Sequence, residues 1–380
     1  MPDNPLKKNA GNKIRALSLL EYFKSRAFHV HFVSEYHWGE WNPEEIATFQ
    51  TSGLAQQVTV LHRKPSKKNI LSYFFYFKIP QFFYNKKWGF LPLHFPDLVT
   101  FKLKKAFRAV LKRDEYDFVL INYASWASLI ESNRFVGKAT TILDTHDLLT
   151  AQNPGYKYFG ASFQEEIRRL SLFQHIFAIS IEEQYIFEQF LNRKVSLVPM
   201  MIAKPEKRFI PIPDRTIDIL YVASNNPHNI EAARWFMHEV YPLLDKSYHI
   251  CIVGQITDSI DPGHPNITCI PFAEDLDSYY QNSKITICPM RSGTGTKIKV
   301  VESLAHEVPV VCNKRGIDGL INKLNNGCLI GDDPEQFKNN IYALLTDTEL
   351  YKQQALYAKV MYEAIYELES CRTKLDQLFL

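Results

Sequence analysis

The chain contains no run of about 18 uninterrupted apolar residues, the length a membrane-crossing helix requires. Its first residues, Met1-Pro2-Asp3-Asn4-Pro5, lack the apolar core of a secretory signal. We therefore expect a soluble or peripheral protein on the cytoplasmic side. Cysteine is missing before Cys251. The six that follow (Cys251, Cys269, Cys288, Cys312, Cys328 and Cys371) form no C-x-x-C pair and fall mostly in apolar strand-like runs. They read as reduced core residues rather than as a disulfide or zinc framework. No pair of acids is placed for a metal, so none is expected. No G-x-G-x-x-G follows a strand with an acid roughly 20 residues on, which disfavours a dinucleotide oxidoreductase. What remains is ordinary for a folded protein: 380 residues, 46% hydrophobic, 22% charged and a formal net charge of +3. That length exceeds what one core usually organises, so we expect two domains.

The most informative stretch is 285–311. An apolar run, Ile285-Thr286-Ile287-Cys288, leads into Pro289-Met290-Arg291-Ser292-Gly293-Thr294-Gly295. A helical segment opens with Thr296-Lys297-Ile298-Lys299 and carries Glu302, and β-branched residues return at Val308-Pro309-Val310-Val311. Strand, glycine loop, helix and strand aim a helix N-terminus out of the carboxyl edge of a parallel sheet. Gly293 and Gly295 permit close backbone approach and positive φ. Unpaired N–H groups, the helix dipole, Lys297 and Lys299 then favour an anion, most naturally a phosphate. The competing reading makes the glycines turn residues and the lysines a solvated face.

Around it the chain alternates. A loop at 9–12 enters a helix at 12–26, with strands expected at 28–33, 58–62, 118–122, 140–144, 175–180 and 195–199. Residues 201–216 hold three prolines without periodicity and are read as a linker between domains at 1–200 and 217–380. A second series follows: strand 218–223, helix 229–244, strands 249–254 and 266–271, helix 276–282, the stretch above, strand 328–331, and helices from Pro334 and Thr348, the last expected to pack back on the N-domain. The alternation predicts an α/β architecture with parallel sheets covered on both faces. A doubly wound first domain would need a strand before the loop at 9–12, and too few residues precede it. Either the chain begins late or its first sheet is built differently.

The wording of 289–311 resembles the donor-site motif of GT-B glycosyltransferases, specifically the retaining family 4 group. Gly11-Asn12-Lys13-Ile14-Arg15 resembles the family's first glycine loop, and Asp144-Thr145-His146-Asp147 its histidine motif. Phe177-Ala178-Ile179-Ser180 and Ile219-Leu220-Tyr221-Val222-Ala223-Ser224 with Pro227-His228-Asn229 are similar to strands flanking the domain crossover. The resemblance implies the GT-B fold, two Rossmann-like doubly wound domains facing each other across a cleft. It implies a nucleotide-sugar donor held by Gly293, Thr294, Gly295, Thr296 and Lys299, with Glu302 on the ribose hydroxyls and Lys297 on the departing diphosphate. It further implies that His146 approaches the sugar, and that Gly11, Asn12 and Arg15 serve the acceptor side. Asn225 and Asn226, with Asn229, either donate to the diphosphate or cap a helix. Thr294 stands where many members carry a second glutamate, eight residues before Glu302. Its hydroxyl can meet a sugar hydroxyl but is no carboxylate.

Residues 63–113 are unusual in composition. Thirteen lysines and arginines, from Arg63 through Lys67, Lys68, Lys78, Lys86 and Lys87 to Arg113, face the single acid Asp97. Aromatics including Tyr73, Phe74, Phe75, Tyr76, Phe77, Phe82, Phe83, Trp88 and Phe90 are interleaved. Such a segment suits an anionic membrane surface, at about 1 kcal/mol per basic residue near it. The competing reading buries the aromatics and leaves the lysines as a solvated face. No nucleic-acid motif accompanies the patch. The reading is a glycosyltransferase acting on a glycan or lipid-linked glycan, in surface polysaccharide or glycoconjugate biosynthesis. A GT-B-fold sugar-nucleotide epimerase and a non-catalytic sugar-nucleotide-binding scaffold are its competitors.

Overall fold

The computed structural model describes residues 1, 3–7, 11–39, 41–87, 95–152, 155, 157–206, 210–261, 263–293 and 295–380. Pro2, Trp88, Phe90 and Thr294, named above, lie outside the described residues, as do residues 9–10 and 207–209 of the stretches discussed there. The chain forms two compact units. The first comprises Met1–Ile179 and Glu183–Leu197, the second Ser180–Glu182 and Val198–Leu380.

In the first unit, helix α1 (Gly11–Ser25) precedes β1 (His31–Glu35), α2 (Pro43–Thr51) and β2 (Gln57–Leu61). Asn42 opens α2 because its side chain accepts the Glu45 N–H while Glu45 returns the contact, a capping box ahead of Pro43. A helical stretch follows as α3 (Ile70–Tyr73), a π-helical turn (Phe74–Lys78) and α4 (Ile79–Lys87). Helix α5 (Phe101–Arg113) starts where Thr100 accepts the Leu103 N–H and ends on Lys112 and Arg113, which suit its dipole. Leu103, Phe107, Val110 and Leu111 form its buried stripe at helical spacing. Then come β3 (Phe118–Asn122), β4 (Thr140–Asp144), α6 (Phe159–Leu170), β5 (His175–Ala178), α7 (Ile181–Leu191) and β6 (Ser196–Leu197).

All ladders are parallel, but they form two sheets. One pairs β1 with β2, and the other runs β3-β4-β5-β6 in order. Val33 and Leu61 nevertheless pack against the cluster that holds Val119, Ile121 and Leu143, so both sheets feed one core.

The second unit contains β7 (Ile217–Val222), α8 (Pro227–Trp235), β8 (Ile250–Val253), β9 (Ile267–Ile270), α9 (Asp277–Gln281), β10 (Ser283–Cys288), α10 (Ile298–Ala305), β11 (Val310–Cys312), β12 (Cys328–Ile330), α11 (Pro334–Thr346), α12 (Thr348–Ile365) and α13 (Leu368–Phe379). Its six strands are parallel in the order β9-β8-β7-β10-β11-β12. Counted from the unit's first strand this is 3-2-1-4-5-6, the doubly wound dinucleotide-fold order. Strands such as Ile250-Cys251-Ile252-Val253 are buried throughout, as a sheet covered on both faces demands. Ala358, Met361, Tyr362 and Tyr366 of the C-terminal region pack with α10 residues Val300, Val301 and Leu304 in one cluster of this unit. No helix of the described residues is long and apolar enough to cross a membrane.

Candidate functional site

A doubly wound sheet receives ligands outside the carboxyl ends of its strands where the strand order reverses. Here the reversal lies between β7 and β10. The loop after β7 carries Asn225 and Asn226, and the loop after β10 carries Gly293 and Gly295. Both glycines have positive φ, +89° and +76°. A side chain at Gly293 would press on the His228 ring at 3.2 Å, so glycine also permits that close approach.

Lys297 occupies the N-cap position of α10 and turns its ammonium back over the loop, donating to Gly295 O at 2.9 Å. It is buried, which places a positive charge over the loop ahead of the helix N-terminus. Two residues on, Lys299 donates to Asn229 Oδ1 at 2.9 Å and lies over the Tyr221 ring at 5.3 Å. Burial lowers its pKa, opposed by Cys288 and Glu302. Asn229 donates in turn to Ser224 O at 2.9 Å, linking the two loops through Lys299. Thr296 Oγ1 is packed against Gly319 and has no hydrogen-bond partner among the described residues.

Glu302 accepts a hydrogen bond from Tyr280 OH at 2.9 Å. Burial raises its pKa to about 7, with Asp277 adding to the rise and Tyr280 and Lys299 opposing it. The His306 ring stacks on Tyr280 (4.8 Å, 19°), donates from Nδ1 to Glu302 O at 2.8 Å and reaches Asp277 Oδ1 through Nε2 at 3.2 Å. These partners come from α9 and from the end of α10. The sequence reading missed Tyr280 and His306, because nothing in a local pattern ties α9 to Glu302. It also assigned no role to His228, whose Nδ1 lies 2.8 Å from Ser292 Oγ, while that hydroxyl donates to Glu231. Asn226 caps α8 by accepting the Asn229 N–H at 2.9 Å, which fits the capping alternative, and Asn225 is exposed.

In the first unit, His146 sits two residues beyond β4 with φ of +62°, beside Tyr123 at +65° just beyond β3. Two non-glycine residues in this region mark stored backbone strain at adjacent strand ends. The His146 ring is buried and stacked on Tyr123 (4.3 Å, 16°). Its Nε2 faces two acceptors, Asn122 Oδ1 at 2.7 Å and Asp144 Oδ2 at 3.1 Å, so Nε2 carries the proton. Asp144 is clamped by Arg15, with Nε to Oδ1 at 2.9 Å and Nη2 to Oδ1 at 2.6 Å. Burial opposes ionisation there, but the Arg15 guanidinium and His146 hold the carboxyl well below the usual carboxylate range.

The helix expected from residue 12 is present, and it holds the residues that resemble a first glycine loop. Gly11, Asn12 and Arg15 belong to α1, and Arg15 is 1% exposed, turned into the core to meet Asp144. Asn12 donates to Asp3 Oδ2 at 2.7 Å. The physical reason for the inward Arg15 is the buried Asp144 carboxylate, 129 residues away, which demands a cation that local sequence cannot reveal. Glu166 and Glu183, likewise missed, brace the segment after His146. Glu166 accepts the Leu149 and Thr150 N–H groups at 2.8 and 2.9 Å, and Glu183 accepts that of Leu148 at 3.1 Å. Among the described residues no group of three or more His, Cys, Asp or Glu side chains is placed to hold a metal.

Two α/β units, the second doubly wound with a glycine loop and paired lysines at its switch point, give this chain the GT-B fold of glycosyltransferases. Residues 216–347, most of the second unit, match the family described as Glycosyl transferases group 1. Among curated proteins the chain is similar to an uncharacterized 44.6 kDa protein in the cps region of Klebsiella pneumoniae, 20% identical over 297 residues, covering 68% of this chain and 74% of that one. Among solved structures it resembles Anabaena HepE in complex with UDP (TM-score 0.65, 12% identity, 96% of this chain and 95% of that one). It also resembles sucrose-phosphate synthase from Thermosynechococcus elongatus (TM-score 0.69, 16% identity, 97% and 93%).

Proposed function

We propose that this protein is a retaining glycosyltransferase. It moves a sugar from a nucleotide donor to a hydroxyl of a glycan or lipid-linked glycan, in surface polysaccharide or glycoconjugate biosynthesis on the cytoplasmic side. One observation carries the reading: Gly293, Gly295, Lys297 and Lys299 lie on the loop and first turn of α10 at the switch point of a doubly wound sheet, with Glu302 one turn further along that helix. HepE, which shares the fold, has been solved with UDP and with UDP-glucose. The cps-region relative supports a place in polysaccharide assembly.

In this reading the diphosphate lies against the α10 N-terminus, where loop N–H groups and Lys297 neutralise the charge that grows as the glycosidic bond breaks. Lys299 fixes the loop after β7 and adds charge. Glu302 accepts the ribose hydroxyls. His146, with its proton on Nε2, presents the other nitrogen as an acceptor that positions a sugar hydroxyl. The diphosphate is served by these groups without a metal.

The test is a thermal-shift screen against nucleotide sugars, then incubation of the stabilising donor with glycan extracts in the presence of a chelator. A stabilising donor and a glycosylated product are expected, since a ligand of the folded state raises its melting point by mass action. An isomerised sugar without acceptor would identify an epimerase, and binding without turnover a scaffold.

The raised Glu302 pKa makes a separate prediction. A carboxylate that accepts two hydroxyls must be ionised, so donor affinity rises with pH through about 7 and binding releases a proton below it. Isothermal titration in buffers of different ionisation enthalpy should show that release, and Glu302→Gln should flatten the pH dependence. The sign for stability is opposite. A carboxyl raised from 4.5 to about 7 in the folded state lowers stability as pH climbs between those values. A pH-independent donor affinity would remove Glu302 from the ribose.

A further inference from the structure

The helical stretch 70–87 is built inside out. Its inward side is narrow: Phe77, 3% exposed, packs on Phe101 (5.7 Å) and on Tyr73 (5.2 Å), and Gln81 Oε1 accepts the Phe101 N–H at 3.0 Å. These contacts seat the stretch on the N-terminus of α5. The outward side is where a soluble protein places charge, yet Phe75 is 59% exposed, Tyr76 80%, Phe82 63% and Phe83 61%, with Leu71 and Phe74 also exposed. A contiguous apolar surface of this kind marks an interaction site.

The π turn aligns these rings. It takes up one residue more than an α turn. Two turns that include it therefore span roughly eight residues rather than about seven. On that count Phe74 and Phe82, and Phe75 and Phe83, share one side of the stretch. Tyr73 and Gln81, spaced alike, stay on the inner side. In an uninterrupted α-helix the pairs would diverge around the axis.

Lys64, Lys67, Lys68 and Lys78 are exposed in and beside this surface, and from residue 63 to 96 there is no acidic residue. Lys67 also lies over the Tyr73 ring at 5.9 Å, its charge held at the edge of the aromatic surface. A second copy of the chain would bring the same lysines and repel. A surface offering both anionic groups and an apolar interior satisfies both halves of the patch, the lysines at the headgroup level and the rings at the acyl boundary.

We propose that residues 64–85 form an in-plane membrane-docking element, with Phe74, Phe75, Phe82 and Phe83 entering an anionic lipid surface and the flanking lysines pairing with its headgroups. This holds whichever sugar is moved, and its test does not use activity. The full chain is sedimented with phosphatidylcholine vesicles, alone or containing phosphatidylglycerol, at low and at high salt. Binding is expected to the anionic vesicles and to weaken with salt. The double substitution Phe75→Ser with Phe83→Ser should cut partitioning at least about tenfold. Lys67→Glu with Lys68→Glu should also weaken it. Tyr342→Ser, at an exposed aromatic of the second unit, should leave it unchanged. The proposal falls if the wild-type chain stays in the supernatant, or if the Phe75/Phe83 variant binds as the wild type does. It falls equally if the wild type is a lipid-free dimer that those substitutions dissociate, because the patch would then be a self-association face. Donor-induced thermal stabilisation is unaffected by any of these outcomes.

Discussion

Lys297→Ala is expected to lower kcat/KM for the donor by about 10²- to 10³-fold, with most of the loss in kcat. In the structure the Lys297 ammonium is buried and already turned over the glycine loop, 2.9 Å from Gly295 O. It needs little reorganisation to meet a phosphate, which is the condition under which a charge contributes most to a transition state. In the proposed reaction the diphosphate gains charge as it leaves, so Lys297 is expected to contribute more late in the reaction than in the ground state. Lys299 provides the internal contrast. Its ammonium is committed to Asn229 Oδ1, which ties α10 to the loop after β7. Lys299→Ala should therefore weaken nucleotide binding and loosen the loop, raising KM more than it lowers kcat. Steady-state kinetics with calorimetric UDP affinities separate the two. If Lys297→Ala leaves kcat within about twofold of wild type while UDP affinity collapses, its role is ground-state binding and the electrostatic assignment is wrong.

Much of this second unit was legible in sequence, and for identifiable reasons. Strands buried on both faces announce themselves as continuous apolar runs, as at 250–253, and the paired glycines ahead of Lys297 and Lys299 mark a loop that opens a helix. The strands at 118–122 and 140–144 coincide with the expected ones because each is a short apolar run bounded by polar residues. Contacts made at long range were not legible. Nothing local in the sequence pairs Arg15 on α1 with Asp144, and Tyr280 reads as a helix residue until it meets Glu302.

The helix expected at 229–244 is present but does not keep one pitch. It runs as α8 to Trp235, a π turn over Phe236–Val240 and a 3-10 turn over Tyr241–Leu243. Both π turns among the described residues end two residues before a proline, Lys78 before Pro80 and Val240 before Pro242. Proline has no N–H to donate and its ring crowds the carbonyl one turn back, so widening the preceding turn keeps the helix going where an α turn would break. Periodicity counts residues at one fixed pitch and cannot register such a turn.

The largest stability effect should follow from Arg15→Ala. Arg15 and Asp144 are 1% and 0% exposed in their side chains, with two short contacts from guanidinium to carboxylate. A buried ion pair need not stabilise relative to an apolar pair of the same shape, but removing one partner strands the other charge, at about 3–5 kcal/mol. For a unit of this size that is a fall in melting temperature of roughly 10 °C. The pH dependence gives the signature. In the wild type the Asp144 pKa is lowered by Arg15, so the stability it contributes is complete above the ordinary carboxylate value and is lost as pH falls toward the depressed one. Without Arg15, burial dominates and the pKa moves above its ordinary value, so the variant gains stability on acidification through that range. The gap between the two proteins should therefore narrow as pH drops. Arg15→Lys restores the charge without the fork and should recover part of the loss. Because Asp144 also receives His146 Nε2 at 3.1 Å, Arg15→Ala should shift the His146 imidazole resonance in NMR, which a remote packing defect would leave in place. A variant that melts with the wild type at neutral pH would mean that water reaches Asp144, and that Arg15 does not hold His146 through it.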